Sequence, residues 1–590
     1  MSGQRISKNL SQQSPQPNLL DYDAAQADFS WQELAISLQG PTQQGGSNIA
    51  YLAIERHLAN AHGEHVALRC LAADRQVRDF SYAQLSEQSN RFANLLQRLG
   101  IGKGDCICAL TGRIPELFFA AFGALKNRSV FCPLFSAYGP EPIRTRLELS
   151  QAKLLVTTTS LYSRRKIQSL REQLSHLQHV VIINDTDAAP AIPDTLDWQE
   201  QMRLSGKDFS MQPTEPEDPA LLHFTSGTTG TPKGALHVHQ AALLHYHSAR
   251  LALDLQAQDV FWCTADPGWV TGTSYGMIAP LLIGATLVVD SGEFEPGRWY
   301  DILQQQQVSV WYTAPTAIRL LMSAGDDLAA AHDFSRLRFI ASVGEPLSPT
   351  AVLWSERVLG LPFHDTWWQT ETGGIMIANY AAMDIKPGSI GRPLPGIEAA
   401  IVRRCRDGGI EIIDAPDETG ELALRSGWPS MFRTYLNEPQ RYAGCFVNGW
   451  YLSGDLMRRD ADGYFWFVAR DDDVIKSAGQ LIGPFEVEAV LMQHAAVAEV
   501  AVIGKPDPLL KELVKAFVRL NPGFQASDAL ARQLLGHARQ QLGVAVAPRE
   551  IEFCQQLPKT DSGKILRREL KQRELDLDSA GVSKPRTEYD

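Results

Sequence analysis

A capped helix signal, followed by two short apolar runs with a second helix between them, commits this chain to an alternating α/β fold. SYAQLSEQSNRFANLLQRLG (Ser81–Gly100) opens with Ser81 and Gln84 at capping-box spacing. Leu85, Phe92, Leu95, Leu96 and Leu99 form its apolar face, and Gly100 closes it. CICAL then reads as a strand, PELFFAAFGALKN as a buried helix and SVFCPLF as the next strand, which completes a βαβ unit. The alternation returns in LLHF, ATLVVD and VSVWYTAPTAIRLLM, without a repeat of fixed period. These signals predict a large α/β body over residues 47–471. After GYFWFVARDDDVIKSAG the texture changes. GPFEVEAVLMQH and SDALARQLLGHARQQLG read as helices, the second capped by Ser527 or Asp528, and VAEVAVIGKPD and VKAFVRL read as strands. Residues 472–590 are therefore expected to form a small α+β domain, with RDDDV as the connection.

At 590 residues the chain exceeds a single core, and 44% hydrophobic with 21% charged residues is a globular composition. The net charge of −12 argues against nucleic acid as the main partner, although a local basic pocket could still take an anionic substrate. None of the eight cysteines forms a CxxC, so a reducing compartment is expected. Cys106 and Cys108 share one face of a strand and read as buried free thiols. Residues 1–46 read as a flexible lead-in, with a short helix near Trp31. The polar start lacks the apolar core of a secretory signal, and no run of about 18 apolar residues exists to span a membrane. Cytoplasmic placement is the expectation.

FTSGTTGTPKG (Phe224–Gly234) follows an apolar run. Gly227 and Gly230 permit backbone geometry that lets amides face an anion. Thr225, Ser226, Thr228 and Thr229 add hydroxyls, and Lys233 adds positive charge. The pattern is not GxxxxGK[ST], because Pro232 takes the place of the second glycine and Gly234 follows the lysine. HVH (His237–His239) and HYH (His245–His247) lack a metal-ligand set and read as ordinary histidines.

SVGEPLSP (Ser342–Pro349), DTWWQTETGG (Asp365–Gly374), WYLSGDLMRRDADGYFWFVAR (Trp450–Arg470) and LPKTDSGKILRREL (Leu557–Leu570) follow in order. With the loop, they resemble the adenylate-forming superfamily of acyl-CoA synthetases, luciferases and peptide-synthesis adenylation domains. The acetyl-CoA synthetases are the nearest group, and the resemblance runs from Asn48 to Leu575. It implies a large multi-sheet N-terminal domain and a small mobile C-terminal domain. It also implies an ATP-dependent ligase that uses Mg2+ and CoA. A carboxylate would attack the α-phosphate of ATP, and the CoA thiol would then displace AMP. Positioning and charge neutralisation would dominate both steps.

By the same resemblance, Thr225 to Lys233 (with Ser226, Gly227, Thr228, Thr229 and Gly230) hold the β- and γ-phosphates. Gly344, Glu345 and Pro346 wall the adenine, and Asp365, Thr366, Trp367 and Gln369 extend that wall. Thr370 meets the α-phosphate, Glu371 helps bind the metal, and Asp455 and Arg470 reach the ribose or phosphate. Lys564 is the implied lysine of adenylation, and its acetylation by an acetyltransferase, reversed by a deacetylase, would remove the charge that step needs. Asp472 is the implied hinge. Gly479, Arg539, Arg164 and Arg165 are implied CoA contacts.

Trp269, Val270, Thr271, Val343 and Trp368 are the implied acyl pocket. The indole of Trp368 would close it to all but short acids, with acetate favoured and propionate possible. The sequence departs from the family pattern at Leu481, where an arginine is expected, and at Asp561, where a basic residue is common. Two rivals stay open at this point: a medium-chain acyl-CoA synthetase, and a catalytically impaired protein that binds nucleotide or acyl-adenylate.

Overall fold

The computed structural model describes residues 5–8, 15–39, 46–165, 167–186, 192–225, 232–470, 473–477, 480–507, 510–544, 546–559 and 565–579. Two large sheets carry the body. The first has nine strands, of which Val66–Leu71, Thr286–Asp290, Val260–Cys263, Val310–Thr313, Phe339–Ser342 and His364–Trp367 run parallel as neighbours in that order. The second has eight strands. Its parallel run is Pro219–Thr225, Val130–Pro133, Cys106–Leu110, Leu154–Thr158, His179–Ile183 and Leu196–Asp197. Lys233–Val238 and Thr434–Tyr435 extend it on the antiparallel side.

The predicted βαβ unit forms as read. Ser81 accepts from the Gln84 amide, and the Gln84 side chain accepts in return from the Ser81 amide. The helix Pro115–Lys126 has every residue but Glu116 buried, which suits a helix enclosed on both sides. Its side chains join residues of both large sheets in one core, including Ile107, Phe131 and Leu221 from one sheet and Phe261, Leu287 and Val310 from the other. The two sheets thus enclose a helical layer, and each burial fixes the other.

A third sheet of six antiparallel strands follows, built on Ala399–Arg404, Thr419–Arg425, Trp450–Arg459 and Phe465–Arg470. It was not separately legible in the sequence. Beyond it, Val497–Asp507 pairs with Lys511–Leu520 in the small domain, and the helices Pro484–Leu491 and Asp528–Leu542 pack on that sheet. Ser527 caps the second helix.

The lead-in reading is corrected for residues 15–39. They form the helices Tyr22–Ala27 and Trp31–Gln39, the second at the position expected near Trp31. Leu19, Tyr22 and Leu38 are buried in the main core. The Tyr22 hydroxyl donates to the Pro393 carbonyl at 2.7 Å, and the Arg392 guanidinium lies 4.0 Å from the Tyr22 ring centroid. Polar composition pointed to a linker, yet a few spaced apolar residues suffice to anchor such a segment. No helix among the described residues is long and apolar enough to cross a membrane.

Candidate active site

The loop expected to hold the β- and γ-phosphates joins two paired strands. Pro219–Thr225 and Lys233–Val238 are antiparallel, and their register closes at Thr225 opposite Lys233. Thr225 and Lys233 are therefore brought together. Ser226, Gly227, Thr228, Thr229 and Gly230 lie outside the described residues, as do Asp472, Gly479 and Lys564.

Beside Lys233 stands a residue that the motifs did not single out. Its ammonium lies 5.5 Å from the Tyr435 ring centroid, and the Tyr435 hydroxyl donates to Glu371 Oε1 at 2.6 Å. Burial, reinforced by the Glu371 charge, raises the phenol above its ordinary range, so it remains a donor. The turn carrying Thr370 and Glu371 is held from below. His245 Nε2 donates to the Gly373 carbonyl at 2.8 Å, and His237 Nδ1 donates to the Ser430 carbonyl at 3.0 Å. Burial lowers both imidazoles to about 4, so both are neutral at pH 7. HVH and HYH thus serve as backbone ties, in line with their reading as ordinary histidines.

A second corner forms around Asp455, which is buried on the third sheet. Its Oδ2 accepts from the Trp367 indole at 2.8 Å and from Gln369 Nε2 at 3.1 Å. Arg470, its partner across the strands, brings Nε to 3.6 Å from Oδ1. The Tyr451 hydroxyl donates to Gln369 Oε1 at 2.8 Å and completes the group. A carboxylate held by so many donors is a fixed acceptor, the property needed to take ribose hydroxyls.

The expected adenine wall divides. Gly344, at φ +93°, has open space where a side chain would sit. Glu345 accepts from Thr316 Oγ1 at 2.5 Å and from Arg319 at 2.7 Å, and Pro346 follows it. Asp365 lies underneath instead. It accepts from Ser342 Oγ at 2.6 Å and from the Leu347 amide at 3.3 Å, and burial pushes its carboxyl up to about 7. Thr366 is likewise buried, donating to the Ser342 carbonyl at 2.7 Å. Both side chains are thus buried and bonded within the fold, while Gly344 borders open space.

Trp368 turns away from the Asp455 corner. Its indole donates to the Tyr312 hydroxyl at 3.2 Å and meets the Tyr275 ring edge-on, with centroids 5.3 Å apart. Tyr275 is fixed in turn by Ser248 Oγ at 2.7 Å and by the Ile375 amide, also at 2.7 Å. Val343 is buried in the same core. Trp269 belongs to a different packing group, 5.2 Å from the Phe135 ring, and it starts the short helix that holds Val270 and Thr271.

The expected CoA arginines lie on separate domains. Arg165 donates to the Ser136 carbonyl at 2.8 Å, and Arg164 ends the helix Thr159–Arg164 on the body. Arg539 lies in the last turn of Asp528–Leu542 in the small domain. Near Lys564, Lys559 and Ile565 form a backbone bridge. Arg567 pairs with both Glu488 oxygens at 2.7 and 2.8 Å.

The sequence profile of the AMP-binding enzyme family matches residues 55–436, and that of the AMP-binding enzyme C-terminal domain matches residues 486–564. The chain belongs to the AMP-binding enzyme family. Among curated family members, the acetyl-coenzyme A synthetase of Bacillus subtilis is 45% identical over 568 residues, covering 96% of this chain and 97% of that protein. That of Deinococcus radiodurans is 36% identical, with coverage of 90% and 83%. Among solved structures, a Brucella canis acyl-CoA synthetase superposes with a TM-score of 0.72 at 34% identity, covering 94% of this chain and 99% of its own. An anthranilate CoA ligase with bound anthranoyl-AMP reaches 0.81 at 30% identity, with coverage of 90% and 98%.

Proposed function

We propose that the protein ligates acetate to CoA with ATP, through an acetyl-AMP intermediate, releasing AMP and pyrophosphate. The near-full-length identity to a curated acetyl-coenzyme A synthetase carries this reading. The medium-chain alternative has the narrowing indole of Trp368 against it. The impaired-binder alternative rests on Leu481 and Asp561.

In the first step an acetate oxygen bonds to the α-phosphorus and pyrophosphate leaves. Asp455 orients the ribose, while Gly344 to Pro346 and the Trp367–Gln369 turn flank the base. Lys233 and the 225–230 loop neutralise the β- and γ-phosphates. Thr370 orients the α-phosphate, and the ammonium of Lys564 offsets repulsion between the two anions. Trp368, Val343, Val270 and Thr271 limit the acid, with propionate as the slower substrate. In the second step the CoA sulfur bonds to the acyl carbon and AMP leaves. Rotation about Asp472 brings Gly479 and Arg539 toward CoA, with Arg164 and Arg165 on the facing side.

Mg2+ suits the Glu371 corner. Hard divalent ions take oxygen ligands, and this carboxylate is already fixed at one oxygen by Tyr435. When bound there with ATP, the ion would neutralise phosphate charge. Cytoplasmic placement agrees with eight free cysteines. Acetylation of Lys564 would stop the first step selectively.

Acetate-dependent exchange of labelled pyrophosphate into ATP, without CoA, tests the reading. Exchange with acetate is expected. ATP binding without exchange would favour the impaired binder.

A further inference from the structure

We propose that Cys106, Cys108 and Cys132 form a buried three-sulfur site for a trivalent thiophilic ion, with arsenite as the probe. Alternate residues of a strand face the same side, so Cys106 and Cys108 point together. The parallel neighbour strand places Cys132 directly opposite Cys108. The three sulfurs lie within 4.8 Å of one another, the only such group of metal-binding side chains among the described residues.

Charge selects the ion. The cluster sits in an apolar core with Leu110, Val130 and Leu155, and the polar groups acting on the thiols are each other and the Ser150 hydroxyl, 3.6 Å from Cys108 Sγ. Three thiolates around a monovalent ion would bury two negative charges, and around a divalent ion one. Uncompensated buried charge is strongly unfavourable. A trivalent ion leaves none. Soft thiolates also match a soft ion, whereas Zn2+ would want a fourth strong ligand. Arsenous acid, As(OH)3, is small and neutral and enters by local opening. It reacts with three thiols to give As(SR)3 and three waters. Three As–O and three S–H bonds break, three As–S and three O–H bonds form, and nothing is oxidised or reduced.

The cluster is mechanically joined to the acyl side. The strand Val130–Pro133 runs on to Phe135, whose ring lies 5.2 Å from that of Trp269. The backbones meet here as well, since a Cβ on Gly268 would fall 2.4 Å from Phe135 Cα. Drawing three sulfurs around one ion pulls on this strand and shifts the Trp269 loop, so arsenite slows ligation without touching substrate.

The test is arsenic retained by the full chain after equimolar arsenite and gel filtration, together with X-ray absorption at the arsenic edge. One arsenic per chain with three sulfur neighbours is expected. C106S, C108S and C132S should each lower retention by ~10–100-fold or more, at least the loss caused by disturbing an outer-shell partner. No retained arsenic, fewer than three sulfur neighbours, or undiminished retention in C132S would each overturn the proposal. If a serine variant fails to fold, the absorption spectrum of the unaltered protein decides alone.

Discussion

Trp367 and Trp368 are neighbours in sequence, and the proposed reading gives them opposite halves of the site. Trp367 spends its indole N–H on the Asp455 carboxylate, in a corner also fixed by Gln369, Tyr451 and Arg470. Trp368 lies against Tyr275 and Tyr312, in a corner held by ring packing and phenol hydrogen bonds. The proposed nucleotide half is therefore set by charge-assisted bonds, whose loss leaves buried donors unpaired. The proposed acyl half is set by shape. Damage to the first should appear in the use of ATP, and damage to the second in the choice of acid.

The largest break removes the lysine proposed to serve both halves. Lys564→Ala is expected to lower acetyl-AMP formation by on the order of 10²–10³-fold or more, while thioester formation from supplied acetyl-AMP persists. Single-turnover assays of the two half-reactions check this, and equal loss in both would refute the assigned role. Next, Trp368→Gly should raise the butyrate-to-acetate ratio of kcat/KM by ~10–200-fold, the scale of methylene discrimination in an apolar pocket. The KM for ATP should hardly change.

Asp455→Ala should do the reverse. It strands the Trp367 and Gln369 donors, a loss of about 1–3 kcal/mol, and should raise the KM for ATP with the acid preference intact. A changed acid profile in this variant would dissolve the division between the halves. The smallest effect belongs to Tyr435→Phe, which removes one hydrogen bond worth ~0.5–1.5 kcal/mol and frees the Glu371 carboxylate. A few-fold rise in the Mg2+ concentration giving half-maximal rate is expected, with the KM for acetate unmoved.

Much of the frame was legible because it depends on local spacing. The Ser81–Gln84 cap, the buried helix Pro115–Lys126 and the small-domain strands need only neighbours within a few residues. The family resemblance is legible because the phosphate-loop, Asp455 and Lys564 motifs stand as short runs in a fixed order, and membership of the AMP-binding enzyme family bears it out. What escaped depends on register between distant segments. Tyr435 meets Glu371 across 64 positions, and Trp368 meets Tyr312 across 56. No run of residues announces such pairs. Asp365 and Thr366 belong to the expected adenine wall because the motif is continuous, yet both side chains are buried and bonded around Ser342, a burial that motif order does not reveal. The N-terminal helices were masked by polar composition, since their anchors Leu19, Tyr22 and Leu38 are too sparse to form a periodic signal.

The most direct measurement offers acetate, propionate, butyrate and octanoate separately with ATP, Mg2+ and CoA, and follows AMP and acyl-CoA. Acetate should turn over fastest, propionate more slowly and octanoate scarcely at all. Preferred use of octanoate would contradict the pocket built on Trp368, and no turnover with any acid despite ATP binding would contradict the ligase itself.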